Sequence, residues 1–242
     1  MTPPQALIFD LMGTCTNWHP GIASAISATP SLSHVSAQES AQLAADWRAG
    51  FFTEIHERFR TGAGTESIDV THRRVLDRLL DERGLGGDIG EEERGELVEA
   101  WHTQGAWSDA VEAIERLKER FMVIVLANGT PRLQLDLVRS SELSFHALFS
   151  SQLLGLTKPD PAIYRKALEL LQIAPEEAVM VAAHAYDLRA AKRVGMRTVY
   201  IRRETEDLDE DMDVVREGVD VFLEEGEGKG GPLKQLADLF CV

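Results

Sequence analysis

The apolar run Ala6-Leu-Ile-Phe9 stops on Asp10, and Gly13-Thr14 breaks the pattern three residues later. A run this short, flanked by Pro4 and Gly13, predicts a buried strand. Residues 17–105 carry no strand pattern and read as helical. Ser36-Ala-Gln-Glu39 is a capping box opening a helix through Trp47, Phe51 and Ile55. A second helix is expected over about 68–83, stopped by Gly84 at its C-terminus, and a third over about 91–102.

Beyond residue 105 short apolar runs alternate with helical spacing. Ser108-Asp109 reads as an N-cap ahead of Ala110, Val111, Ile114 and Leu117. A strand over 121–127 ends on Asn128-Gly129-Thr130, and Thr130 with Pro131 starts a helix. Strands are expected over 147–150, 178–183, 197–201 and 219–223, with helices opening at Asp160-Pro161, over 187–194 and over 233–240. Such alternation implies right-handed crossovers and an α/β fold, a mostly parallel sheet with helices on both faces. The expected division is a core of residues 1–16 and 106–242, with a helical cap of residues 17–105 inserted after the first strand.

Composition narrows the function. The formal charge is −15, from 25 basic and 40 acidic residues, which argues against a nucleic-acid partner. Two acidic runs, 91–93 and 204–213, read as solvated faces or loops. No apolar run approaches the roughly 18 residues of a membrane span, and the N-terminal stretch has no signal-like pattern. The expectation is a soluble, cytoplasmic protein. Cys15 and Cys241 form neither a disulfide framework nor a metal cluster, and Cys15 reads as a packed thiol.

Polar groups close four strand ends: Asp10 with Thr14, Asn128 with Thr130, Lys158, and His184 through Asp187. A parallel sheet brings such ends to one edge, where its ligands bind. Pro159 holds Lys158 in an extended loop, and a nearby ammonium would keep a carboxylate ionised.

Together these motifs resemble the haloacid dehalogenase superfamily over the whole chain. Asp10-Leu-Met-Gly-Thr14 looks like the nucleophile motif, Asn128-Gly129 the second, Lys158-Pro159 the third and Asp187 part of the fourth. The resemblance implies a Rossmann-like core. Phosphatases of that superfamily place a general acid where Met12 stands, and an acid pair where only Asp187 remains. Phosphoryl transfer needs both a cation and a proton for the leaving oxygen. A carboxylate nucleophile lacking them suits displacement of halide, which leaves without protonation.

The branch this points to is the type II L-2-haloacid dehalogenases, which carry a hydrophobic residue at the Met12 position. Trp47-Arg48 is similar to their Trp-Arg pair, and Tyr164 to the tyrosine that follows their Lys-Pro-Asp. The resemblance implies a small halogenated carboxylic acid as substrate, no cofactor, no metal and a homodimer. It assigns Asp10, Thr14, Lys158 and Asp187 to catalysis, to which the imidazole chemistry of His184 adds a candidate, and Met12, Arg48, Ala127, Asn128 and Tyr164 to the substrate. Arg48 and Asn128 would cradle the halide. Two departures stand out: Ala127 replaces a serine at the second motif, and Ala182-Ala183-His184 replaces Ser-Ser-Asn at the fourth.

From residue type alone, Arg48 would be a surface helix residue and Tyr164 a half-buried aromatic, and His184 is a structural histidine, a general base or a positive charge that substitutes for lost hydrogen bonds to an anion. Two further functions stay open: an Mg²⁺-dependent phosphatase with an atypical site, and a binding or regulatory protein with little catalysis.

Overall fold

The computed structural model describes residues 3–63, 66–226, 228 and 230–241. In chain order the elements are β1 (Ala6–Phe9), β2 (Thr16–Asn17), α1 (His19–Ala28), α2 (Ala37–Thr61), α3 (Ile68–Glu82), α4 (Glu91–Glu99), β3 (Gly105–Ala106), α5 (Ala110–Lys118) and β4 (Met122–Ala127). There follow α6 (Pro131–Ser141), β5 (Ala147–Ser150), α7 (Ser151–Leu154), α8 (Pro161–Leu171), β6 (Ala178–Ala182), α9 (Ala185–Val194), β7 (Arg197–Ile201), α10 (Met212–Gly218), β8 (Val221–Leu223) and α11 (Pro232–Phe240). The chain forms two compact units, Met1–Asn17 with Gly105–Val242, and Trp18–Gln104.

The first unit is built on a six-stranded parallel sheet, ordered β5-β4-β1-β6-β7-β8. Its four inner strands are buried runs rather than alternating ones, because crossover helices cover both faces of a parallel sheet, while the edge strands β5 and β8 are half-buried. β1 pairs with β4 through Ile8↔Ile124 and with β6 through Ile8↔Met180. The chain steps outward from β1 to β4 and β5, then returns to β6 on the other side. Such a reversal leaves a crevice at the carboxyl ends of the two central strands, here β1 and β6. One apolar cluster joins Ile8, Leu126, Ile163, Met180 and Leu188 beneath that edge.

Among the described residues every regular element of the second unit is a helix. The capping box is formed: the Ser36 hydroxyl accepts from the Glu39 amide at 3.3 Å, and the Glu39 carboxylate accepts from the Ser36 amide at 2.9 Å. Trp47, Trp101, Phe51 and His72 make its interior, with the His72 ring stacked on Phe51 at 4.2 Å and on Trp101 at 4.3 Å. Burial, then the nearby Arg48 and His102, push the His72 pKa well down and keep the ring neutral.

Three details differ from the sequence reading. Asn17 and Gly105 are extended, not helical or looped: with Thr16 and Ala106 they pair antiparallel where the chain leaves and re-enters the first unit. Helix α1 carried no clear signal, since its Gly-, Ala- and Ser-rich turns bury only Ile22 and Ile26. The run 204–213 is not simply a solvated face: Glu206 is buried, and Asp211 caps α10 by accepting from the Asp213 amide.

Ile8 is fully buried at the centre of the sheet. Ile8→Ala is expected to cost about 2–5 kcal/mol of stability, from lost transfer energy and the cavity left behind. Urea denaturation should show a lower midpoint with an unchanged slope.

Candidate active site

Asp10 sits one residue beyond β1, where its amide donates to the Val181 carbonyl at 3.0 Å and continues the pairing with β6. Its carboxylate is buried in the central crevice and takes three side-chain hydrogen bonds. Oδ1 accepts from Lys158 Nζ at 2.9 Å. Oδ2 accepts from the Thr14 hydroxyl at 2.8 Å and from His184 Nδ1 at 3.1 Å.

Each partner is itself held. The Thr14 hydroxyl accepts from the Ala183 amide at 2.9 Å, and its carbonyl accepts from Arg203 Nε at 3.2 Å. Arg203 is buried against Asp109, at 2.9 Å, and over the Trp107 ring, at 4.7 Å. Gly13 has a φ of +85°, and a Cβ there would lie 2.5 Å from the Glu206 carboxyl carbon. Both the turn and the approach of Glu206 require glycine.

Lys158 is fully buried, not merely aimed at the site, and its ammonium lies between Asp10 and Asp187. The Asn128 amide clamps the Lys158 backbone: Oδ1 accepts from the Lys158 amide at 2.9 Å, and Nδ2 donates to its carbonyl at 3.1 Å. Asn128 therefore acts on Lys158, and its expected place in a halide cradle is not what its hydrogen bonds describe. Asp187, in the first turn of α9, accepts from the Tyr164 hydroxyl at 2.6 Å. Tyr164 is fully buried against that carboxylate, which corrects the half-buried reading.

His184 is the N-cap of α9, and the first strand-end reading missed its second partner. Nδ1 meets Asp10, and Nε2 meets Glu206 Oε2 at 2.7 Å. The next residue, Asp207, accepts from the Ala185 amide at 2.6 Å and anchors the same turn. With a carboxylate on each ring nitrogen, His184 satisfies both bonds only as the doubly protonated imidazolium. It has no open lone pair for a general base, which corrects that expectation.

Glu206 escaped the motif search because it lies in an acid-rich run five residues past β7. The strand-end rule applied to β7 would have pointed there.

The cluster sets three carboxylates (Asp10, Asp187, Glu206) around two cations (Lys158, His184). Burial alone would raise the Asp10 pKa, but the Lys158 charge and the bonds and charge of His184 hold it well below the usual carboxylate range. Burial works against the Lys158 charge too, and the two facing carboxylates overcome it and raise that pKa. Asp187 is pushed upward by burial and by Asp10, against the pull of Lys158. The bound ammonium stands where a cation bridging Asp10 and Asp187 would sit, and the imidazolium adds a second positive charge. Neither arrangement favours a divalent metal at these carboxylates.

Of the remaining positions, Ala127 is buried at the end of β4 and Met12 is half-buried beside Gly13. Arg48 belongs to the helical unit. It is buried rather than exposed, with its guanidinium 4.4 Å from the Phe52 ring centroid and 5.6 Å from that of Trp18. Cys15 is a packed thiol whose pKa burial and Asp10 push up, as its position suggested.

The imidazolium has a consequence for stability. Burial opposes the charge of His184, but the hydrogen bonds and charges of Asp10 and Glu206 prevail and raise its pKa to about 10, against 6.5 for a free histidine. Between these values the folded chain binds more protons than the unfolded one. The stabilisation is therefore complete below about pH 6.5 and is lost as pH rises towards 10. Urea titrations at about pH 6 and pH 9 should show the wild type weaker at the higher pH, with His184→Gln removing most of that difference.

The family model for haloacid dehalogenase-like hydrolases matches residues 4–195. (S)-2-haloacid dehalogenase 4A of Burkholderia cepacia is 32% identical over 129 residues, an alignment covering 52% of this chain and 52% of that enzyme. (S)-2-haloacid dehalogenase 1 of Pseudomonas sp. (strain CBS-3) is 27% identical over 84% of this chain and 86% of its own length. The crystal structure of a defluorinating L-2-haloacid dehalogenase superposes with a TM-score of 0.85 at 27% identity, over 99% of this chain and 96% of that one. Phosphatases also align, among them a phosphoserine phosphatase of Thermus thermophilus that is 33% identical over 140 residues, 54% of each chain. The chain belongs to the haloacid dehalogenase-like hydrolases, and within that family it is similar to enzymes that act on carbon–halide bonds.

Proposed function

We propose that this chain is a metal-independent hydrolase of small 2-haloalkanoic acids, with Asp10 as nucleophile. The observation that carries the reading is the state of that carboxylate: buried, held ionised by Lys158 and His184, with Met12 two residues on where phosphoryl transfer would need an acid. Oδ2 is engaged by two donors and Oδ1 by one, so Oδ1 has the freer lone pair.

In this reading Oδ1 attacks the halogen-bearing carbon from behind and inverts it. The halide leaves with the electron pair of the broken bond, and an aspartyl ester remains. Water then adds to the Asp10 carboxyl carbon and gives one proton to the Asp187 carboxylate. The ester carbon–oxygen bond breaks, the departing 2-hydroxy acid takes that proton on its hydroxyl oxygen, and the second proton of water is released with the restored carboxylate. Proximity of nucleophile and carbon can supply up to about 7–11 kcal/mol of the barrier.

The ammonium of Lys158 offers the substrate carboxylate a counter-charge and holds Asp187 against the water. Asn128 and Tyr164 serve by fixing Lys158 and Asp187. Arg48, Met12 and Ala127 are assigned to the substrate by the resemblance. A guanidinium buried among aromatic rings suits an anion, because it is less solvated than one in water.

The phosphatase relatives supply the second reading. It requires Mg²⁺-dependent turnover of p-nitrophenyl phosphate, and the ammonium and imidazolium at Asp10 speak against it.

The wild type should release halide from L-2-chloropropionate in the presence of EDTA, and Asp10→Asn should reduce release to the uncatalysed background. An inactive wild type across a haloacid panel, or undiminished release by Asp10→Asn, overturns the proposal.

A further inference from the structure

The hydrogen bonds on Asp10 are unequal in a way that separates the two half-reactions. Oδ2 receives both Thr14 and His184, at 2.8 and 3.1 Å, and becomes the carbonyl oxygen once Oδ1 has formed the ester. When the ester forms, charge drains from Oδ2. When water adds to the carboxyl carbon, a full negative charge returns to the same atom. A cation held there favours the second step over the first, since only an interaction stronger in the transition state accelerates a reaction.

We infer that Glu206 is a positioning residue that keeps His184 as a buried imidazolium, and that His184 Nδ1–H with the Thr14 hydroxyl stabilises the oxyanion on Asp10 Oδ2 during ester hydrolysis. The inference rests on the dehalogenase reading and deepens it. Three observations support the assignment. Glu206 is fully buried and its carboxylate meets Nε2 at 2.7 Å, the one ring nitrogen that Asp10 does not use. Gly13 leaves the space that the Glu206 carboxyl group fills, a Cβ there standing 2.5 Å from its carbon. Asp207 ties the segment to the first turn of α9 through the Ala185 amide, which fixes His184 from its own backbone as well.

The remaining charged and titratable groups around the ring favour the cation. Asp10 faces it from the end of β1, Glu206 and Asp207 from the loop after β7, and the Tyr186 ring lies 5.7 Å away on the same helix. Lys158, the nearest cation on the Asp10 carboxylate, binds the other oxygen. Asp187, further along α9, is occupied by Lys158 and Tyr164.

The step balances without an outside reagent. The water oxygen bonds to the Asp10 carboxyl carbon while the carbonyl π pair moves onto Oδ2, held by the two donors. One water proton passes to Asp187. Collapse reforms the carbonyl, breaks the carbon–Oδ1 bond, and sends that pair with the 2-hydroxy acid, which takes the proton from Asp187, while the second water proton leaves to solvent as Asp10 reionises. Nδ1–H donates throughout and is not consumed.

The test uses rapid-mix halide release from L-2-chloropropionate with intact-protein mass spectrometry. Wild type should turn over with little ester present. His184→Gln should release about one halide per protein in a burst, then slow about 100-fold, the loss seen when an oxyanion donor is removed. The mass of the ester adduct should appear on the peptide containing Asp10. Glu206→Gln leaves a neutral partner on Nε2, so ester hydrolysis should acquire an alkaline fall about one pH unit or more below that of the wild type. Glu206→Asp should restore part of the lost rate.

A wild-type rate for His184→Gln overturns the inference. So does equal loss of both half-reactions with no adduct, or a pH profile of Glu206→Gln unchanged from wild type. Failure of the wild type itself to release halide from any haloacid overturns the dehalogenase reading and, with it, this one. Wild-type turnover combined with any of the variant failures overturns the inference alone.

Discussion

The arrangement that everything else in the first unit serves is a buried cluster of three carboxylates and two cations at the carboxyl edge of β1 and β6. Removing an ion from water costs several kcal/mol even after relaxation, so a buried charge persists only when its partners are already in place. The structure supplies them from elements far apart in the chain. Asp10 comes from β1, Lys158 from the loop before α8, His184 and Asp187 from α9, and Glu206 from beyond β7. A parallel sheet with its order reversal at β1 and β6 is the scaffold that lets these loops meet.

Rigidity around the cluster follows from the same cost. Asn128 uses both ends of its amide on the Lys158 backbone, and Tyr164 fixes the second carboxylate. Thr14 is gripped from its hydroxyl by Ala183 and from its carbonyl by Arg203, which is neutralised by Asp109. Such preorganisation is what electrostatic catalysis needs, because donors already aimed at a developing charge do not have to reorient.

The helical unit works by different physics. Its interior is aromatic, with His72 sandwiched neutral between Phe51 and Trp101, and Arg48 laid over Phe52. Among the described residues neither ring nitrogen of His72 has a hydrogen-bond partner, which is consistent with a ring kept uncharged by burial. Stacking and cation–π contact pack this interior, with ion pairs such as Arg74–Glu54 and Arg94–Asp77 around it.

Most of the secondary structure was legible locally. The Ser36 capping box, the Thr130-Pro131 and Asp160-Pro161 helix starts and the apolar runs of β1, β4, β6 and β7 are encoded within a few residues. Asp10 and Asp187 could also be read, since one follows a strand and the other opens a helix at a motif, whereas Lys158, expected at a strand end, lies in the loop between α7 and α8. What a chain position alone did not reveal was partnership. Glu206 looked like one acid in a solvated run, Tyr164 like a half-buried aromatic and Asn128 like a ligand for halide. Each acquired its role from a group 20 or more residues away: 22 for Glu206 and His184, 23 for Tyr164 and Asp187, 30 for Asn128 and Lys158. Sequence determines which groups can ionise, donate or accept, because that is side-chain chemistry. Only the tertiary structure decides which of them are shut away from water together, and burial with a partner is what sets their charge.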